Sequence, residues 1–321
     1  MTYKFENIKS CFLGLAIGDA LGVPVEFRDR SFFKDLPVKD MLGFGTWNQP
    51  PGTWSDDSSL TFCLAESLIN GYNLEDIGKK FVAWYSSGYW GAHHKLFDIG
   101  MTTRLAIGRI QKGENPKFSG ELDVESNGNG SLMRIVPASL YFCNLDDVNL
   151  YERIKEVSSM THGHFRSVFS CYLFSKFVIE LFKGQEKENA LATAIEEVKK
   201  FAHDNNFNSK EVNLFSKVLD GKLKNFIEDS IRGSGYVLHC LEASIWSFLT
   251  TNNYAEAVLK AVNLGEDTDT TACVTGALAG LYYGEESIPM LWSIKLAREQ
   301  DIKNLAEAFT ESIKRQVLHL D

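Results

Sequence analysis

The sequence has no Lys/Arg-rich run, no C-x-x-C pair and no continuous apolar stretch long enough to cross a bilayer. A nucleic-acid surface needs clustered positive charge, and the net charge of -9 points the other way. The six cysteines (Cys11, Cys63, Cys143, Cys171, Cys240 and Cys273) are scattered, mostly in apolar stretches. That pattern argues against a disulfide scaffold and for reduced, buried thiols, so a cytoplasmic setting is the default expectation, with delivery into another cell left open. Near the N-terminus the apolar run covers only Cys11 to Ile17, closed by Gly18 and Asp19. It is too short for a membrane span, and Glu6 between Lys4 and Lys9, with no small-residue cleavage site after the run, argues against a signal peptide.

Alternating strand patterns are scarce as well, and there is no internal repeat, low-complexity segment or linker. What remains is ordinary globular composition, 12% aromatic and 23% charged, carrying helical periodicity. Leu60, Leu64 and Leu68 recur at intervals of four, with Cys63 beside them. Phe165, Val168, Phe169, Tyr172, Leu173 and Phe177 form a broad apolar stripe; Leu191, Ile195, Val198 and Ala202 form another, and Leu238, Leu241, Ile245 and Phe248 a third. These stripes read as core. Two stretches, Asp29 to Trp54 and Gln111 to Gly130, read as long loops. The expectation is one all-α domain over residues 1–321.

Two acidic clusters each open a helix: Ser55-Asp56-Asp57 before the Leu60 stripe, and Asp267-Thr268-Asp269-Thr270 before Thr271 to Tyr283. One carboxylate at a helix start is an ordinary cap. A second adds repulsion without adding a cap, whereas two such clusters offer the oxygen ligands a hard cation needs, with hydroxyls from Ser55 or Thr270. An EF-hand loop is ruled out for the second cluster, because the positions that need glycine and glutamate hold Ala272 and Leu278. Ala272, Gly276 and Gly280 share one face of the following helix, so another backbone can approach there. That suggests the cluster lies inside a bundle, where uncompensated carboxylates are costly. Magnesium or manganese is the natural expectation.

Three further segments read, one by one, as structural: the small-residue stretch Gly14 to Gly22 with Glu26 after it, the glycine-rich turn Asn127 to Arg134, and Ser158 to His164 before the Phe165 helix. A phosphate cradle at the glycine-rich turn is possible but weakly signalled.

Taken in order from about Gly14 to Gly284, the segments G-L-A-I-G-D-A-L-G-V-P-V-E-F, G-T-W-S-D-D-S-S, F-D-I-G, N-G-N-G-S-L-M-R, T-H-G-H and G-E-D-T-D-T-T resemble those of the ADP-ribosylglycohydrolase family. The resemblance implies an orthogonal all-α bundle with a binuclear centre of two Mg2+ (or Mn2+) ions at the ends of core helices. It places Ser55, Asp56 and Asp57 in one metal-binding triplet, and Asp267, Asp269 and Thr270 in the other. Glu26 matches a carboxylate near the metals, and Asp98 an acid that meets the arginine guanidinium. Asn129, Gly130, Ser131 and Met133 match the segment around the diphosphate and distal ribose, and His162 a ligand-side histidine. The first triplet begins with Ser55 where many relatives have threonine; the hydroxyl is kept.

The implied reaction is hydrolysis of the bond between ADP-ribose and an arginine of a mono-ADP-ribosylated protein, releasing ADP-ribose. Asp98 is the first choice for the proton donor and Asp57 the second. Serine-linked ADP-ribose, O-acetyl-ADP-ribose and a non-catalytic ADP-ribose binder are the alternatives. A two-metal isoprenoid synthase fits poorly, because Asp57 is followed by Ser58-Ser59-Leu60 rather than a D-D-x-x-D run. A monomer, without nucleic-acid or membrane partners, is the default.

Overall fold

The computed structural model describes residues 3–318. Among them there is no strand; the chain runs through helices of up to 19 residues, and the only β-type pairings are the isolated bridges Glu121 to His162 and Gly128 to Tyr236. The all-α expectation holds, and the four apolar stripes lie buried on the helices Asp56–Ile69, Phe165–Phe182, Lys187–Asp204 and Val237–Leu249.

The centre of the molecule is the pair Asn7–Gly22 and Thr268–Tyr283, which are covered almost all round. Their backbones touch. A Cβ built on Gly18 would lie 2.1 Å from the Ala272 carbonyl oxygen, one on Gly276 2.2 Å from the Gly14 carbonyl, and one on Gly280 2.1 Å from the Ser10 carbonyl. The small-residue face anticipated on the second helix therefore meets a matching face on the first. One side chain stitches the pair further, Thr268 Oγ1 donating to the Gly22 carbonyl at 2.8 Å, and Tyr254 on the neighbouring helix Tyr254–Val262 donates from Oη to the Gly14 carbonyl at 2.7 Å.

The first helix extends further than the short apolar run suggested. Asn7–Val25 has mean hydropathy 1.5 and the length to span a membrane, yet 94% of that stretch is buried in the bundle. Its glycines and alanines interrupt the apolar run in sequence while serving the close contact in space. The Asp29 to Trp54 stretch is also not all loop. Asp29 caps a short helix, Arg30–Asp35, by accepting from the Ser31 amide. The Gln111 to Gly130 stretch contains 3-10 turns at Pro116–Phe118 and Val124–Ser126. All six cysteines are unpaired and buried, as expected.

The backbone contact makes opposite expectations for two glycines. Gly18→Ala forces a methyl group into a carbonyl that two packed helices hold in place, so it should destabilise the chain by about 1–3 kcal/mol. Gly108, inside the helix Met101–Gln111, has no atom within 4 Å of a built Cβ. Gly108→Ala should stabilise by roughly 0.5–1 kcal/mol through helix propensity alone. Urea unfolding midpoints decide the matter, and equal shifts for the two variants would contradict this account.

Candidate metal centre

The start of the Asp56–Ile69 helix is organised by a residue from the first helix. Buried Asp19 accepts from the Ser55 amide (2.9 Å) through Oδ1, and from the Ser58 amide (3.1 Å) and hydroxyl (2.6 Å) through Oδ2. Ser55 itself takes the cap position, its hydroxyl accepting weakly from the Asp57 amide and lying 2.9 Å from Asp57 Oδ2. With the Ser55, Asp57 and Ser58 N–H groups satisfied this way, the carboxylates of Asp56 and Asp57 are not used as caps. Asp57 Oδ1 is buried without any partner.

The second cluster behaves alike. Asp267 occupies the cap position of the Thr268–Tyr283 helix but makes no capping bond. Its Oδ2 accepts from Asn129 Nδ2 at 2.9 Å, and its Oδ1 is buried and unpartnered. Asp269 Oδ1 accepts from the Thr270 amide at 2.9 Å, leaving Oδ2 orphaned. The turn before it is held by Glu266 at φ 61°, whose amide donates to the Arg28 carbonyl at 2.8 Å, while the Asp267 amide donates to Gly233. Glu26 is reached from the same turn, since the Phe27 amide donates to the Glu266 carbonyl. The Glu26 carboxylate accepts from the Trp47 indole.

Carboxylate oxygens of Asp19, Asp57 and Asp269 fall within 4.8 Å of one another, as do those of Glu26, Asp267 and Asp269. The two groups share Asp269. Burial, followed by the neighbouring acids, raises the proton affinity of Asp56, Asp57 and Asp269 well above the usual carboxylate range. Burial, then Asp98 and Asp267, push Glu26 up to about 10; burial and Asp267 push Asp98 to about 7. The charges that act most strongly on these five groups are those of one another and of Asp19 and Asp267, and among the described residues none of the five forms an ion pair with a basic side chain. Three orphaned buried oxygens in an all-oxygen set, without a basic partner, fit one or more hard cations.

Above the carboxylates opens a cavity of about 270 Å³, lined by Glu26, Asp56, Asp98, Asp267 and Thr270 together with Asn129, Gly130, Met133 and His162. Sequence segments more than 200 residues apart thus converge on one cavity. Asp98 sits at φ 51°, a left-handed conformation that turns the Phe97-Asp98 segment toward the cavity. Ser55, Asp57 and Asp269 lie outside the lining, within the carboxylate layer. Ser131 departs from expectation. It is fully buried, and its hydroxyl meets Ser158 and Cys171 rather than the cavity, because the turn points its side chain into the bundle. Of the two histidines, His164 is the cap, accepting from the Arg166 amide, and His162 faces the cavity.

Asp19 escaped the sequence reading because its neighbours are small packing residues. The signal was there: a lone carboxylate in the middle of an otherwise apolar helix must find buried partners. Thr102, Thr103 and Gly235 also line the cavity, and no sequence motif pointed to them. A roomier hollow of about 480 Å³ between Lys199 and Asp220 contains no orphaned buried polar atom, so the chemistry lies at the carboxylates.

Fold and site together define an all-α protein with a buried carboxylate centre beneath a polar cavity. The chain belongs to the ADP-ribosylglycohydrolase family, whose model matches residues 1–317. It is 35% identical to "ADP-ribosylarginine hydrolase Tri1" of Serratia proteamaculans (strain 568) over 309 residues, covering 95% of this chain and 79% of the relative. It is 28% identical to "ADP-ribosyl-[dinitrogen reductase] glycohydrolase" of Rhodospirillum rubrum, over 94% of this chain and 95% of the relative. A solved structure described as "ADP-ribosylglycohydrolase-related protein complex" superposes with a TM-score of 0.80 at 31% identity, covering 98% of this chain and 100% of that one.

The carboxylates make the stability of the metal-free chain depend on pH. Folding raises Asp98 from 3.8 to about 7 and Glu26 from 4.5 to about 10, so the folded state binds these protons more tightly. Their contribution is complete below the unfolded values and is lost as pH rises through the folded ones. In EDTA the melting temperature should therefore fall between about pH 5 and pH 8. Added Mg2+ or Mn2+ should raise it most at the alkaline end, releasing protons on binding. An identical pH slope with and without the ion would sink the cation assignment.

Proposed function

We propose that this chain is a metal-dependent hydrolase that cleaves the N-glycosidic bond between ADP-ribose and a protein arginine, reversing mono-ADP-ribosylation. The observation that carries the reading is the unpaired carboxylate layer, opening directly into a cavity with Asn129, Gly130 and His162 on its wall. The name of the Serratia relative, an ADP-ribosylarginine hydrolase, supports arginine as the linked side chain. So does the pairing of Asp98 with Glu26 in the cavity, since two acids side by side suit a guanidinium.

On this reading two Mg2+ or Mn2+ ions would be held by Asp57, Asp267 and Asp269, each with an unpartnered buried oxygen, and by Asp56 on the cavity wall, with Ser55 and Thr270 offering hydroxyls. When bound, such ions supply Lewis acidity and a template for ribose hydroxyls and a water. Asn129 is fixed by its bond to Asp267 and holds the turn that walls the cavity. Asp98, with its carboxyl near 7, can hold a proton at neutral pH and hand it to the departing guanidine nitrogen as the bond to C1″ breaks. The water oxygen forms the new bond to C1″, and its proton restores the acid. Asp57 suits this role less, because it lies outside the cavity lining. The chain acts on this reading as a single unit and a monomer, and its six unpaired thiols suit a reducing, cytoplasmic setting.

Arginine-, serine- and acetyl-linked ADP-ribose substrates test the proposal directly. The arginine substrate should be turned over, and EDTA should abolish that turnover until Mg2+ or Mn2+ is restored. Asp98→Asn should lower kcat by roughly 10²–10⁴-fold while leaving the fold intact. Asp267→Ala should abolish ion-dependent stabilisation as well as turnover. Activity that survives chelation, or no turnover of the arginine substrate, would remove the proposal.

A further inference from the structure

Behind the cavity wall lies a buried positive charge with no acid beside it. Arg134 is fully buried; one Nη2 donates to the Val157 carbonyl (3.1 Å) and to Thr161 Oγ1 (2.7 Å), and the guanidinium lies 4.9 Å over the Phe81 ring. Its Nε and Nη1 have no partner. Thr161 Oγ1 lies 2.9 Å from His162 Nδ1.

The direction of these hydrogen bonds follows from what each group can do. A guanidinium only donates, so the Thr161 hydroxyl accepts from Arg134. That hydroxyl has a single proton of its own, and among the described residues Nδ1 is its other hydrogen-bond partner. Were the imidazole to donate from Nδ1, the buried hydroxyl would accept twice and its proton would be stranded, which is disfavoured in a covered site. Nδ1 therefore accepts, and the ring proton sits on Nε2. That edge faces the glycine-rich turn: a Cβ on Gly130 would lie 2.7 Å from Cε1, and one on Gly128 3.5 Å from Nε2, so the glycines keep it open to the cavity.

We infer that Arg134 and Thr161 are positioning residues that lock His162 in its Nε2–H tautomer, making it a hydrogen-bond donor aimed at the substrate. Burial and the Arg134 charge hold the ring neutral, its pKa pushed down to about 3. The group it meets must be an acceptor. Resting on the function proposed above, that acceptor is a phosphate or ribose oxygen of ADP-ribose.

The test is ¹⁵N-histidine NMR of the full chain, with His162 assigned by comparison with His162→Gln. The unsubstituted protein should show a single neutral tautomer protonated at Nε2; a proton on Nδ1 in the unsubstituted protein overturns the inference whatever the Thr161 variants do. Thr161→Val keeps the side-chain shape and removes the relay. It should populate the Nδ1–H form and weaken ADP-ribose binding by calorimetry roughly tenfold. Thr161→Ser should restore both. A Thr161→Val protein with unchanged tautomer or unchanged affinity also overturns the inference. If the unsubstituted chain fails to bind ADP-ribose, the proposed function fails, and the tautomer still decides the relay.

Discussion

The contact on which the rest depends is the one between the backbones of Asn7–Gly22 and Thr268–Tyr283. Glycine and alanine at the crossing let the carbonyls of one helix lie against the Cα atoms of the other. The last of these contacts, Gly22 against Asp269, is already part of the site, because a Cβ there would stand 2.3 Å from the Asp269 Cα. Asp19, one turn earlier, reaches across to the start of the Asp56–Ile69 helix. Larger residues at the crossing would separate the helix ends and with them the carboxylates. The metal centre is thus held by packing, since acids alone repel.

That repulsion explains the division of labour among the acids. Asp19 spends both oxygens on amides and a hydroxyl, which makes it an anchor for the Asp56–Ile69 helix start. Asp57, Asp267 and Asp269 each keep one buried oxygen without a partner. In an ordinary core such atoms would be costly errors. Here they lie together, and a cation turns their shared cost into binding energy.

Much of this was legible in the sequence. The helical stripes gave the fold class, because apolar residues spaced three and four apart describe a helix face whatever it packs against. The doubled acids pointed to a cation site, because capping needs only one, and the carboxylates do gather where an ion could be held. Other features were invisible for physical reasons. Asp19 resembled a packing residue, since its role is visible only when the Asp56–Ile69 helix is placed beside it. Ser131 shares a glycine-rich turn with cavity residues, but spacing does not say which way a turn residue points. His162 and His164 are chemically alike and two apart; only the fold makes one a cap and the other a cavity wall. The ADP-ribose assignment came from the ordered motif set, and no single segment would have supported it.

The central helix pair also shapes how this chain must come into being. The first helix, apolar enough to pass for a membrane segment, is synthesised well before its partner, which begins only at Thr268. At about 5–20 residues per second, that leaves it uncovered on the ribosome for roughly 10–50 s. The most extensive helix–helix contact in the finished protein is therefore among the last to form. Until then the apolar first helix lacks the partner that covers most of it, and exposed apolar surface of this kind is what makes long chains prone to misassembly while they fold.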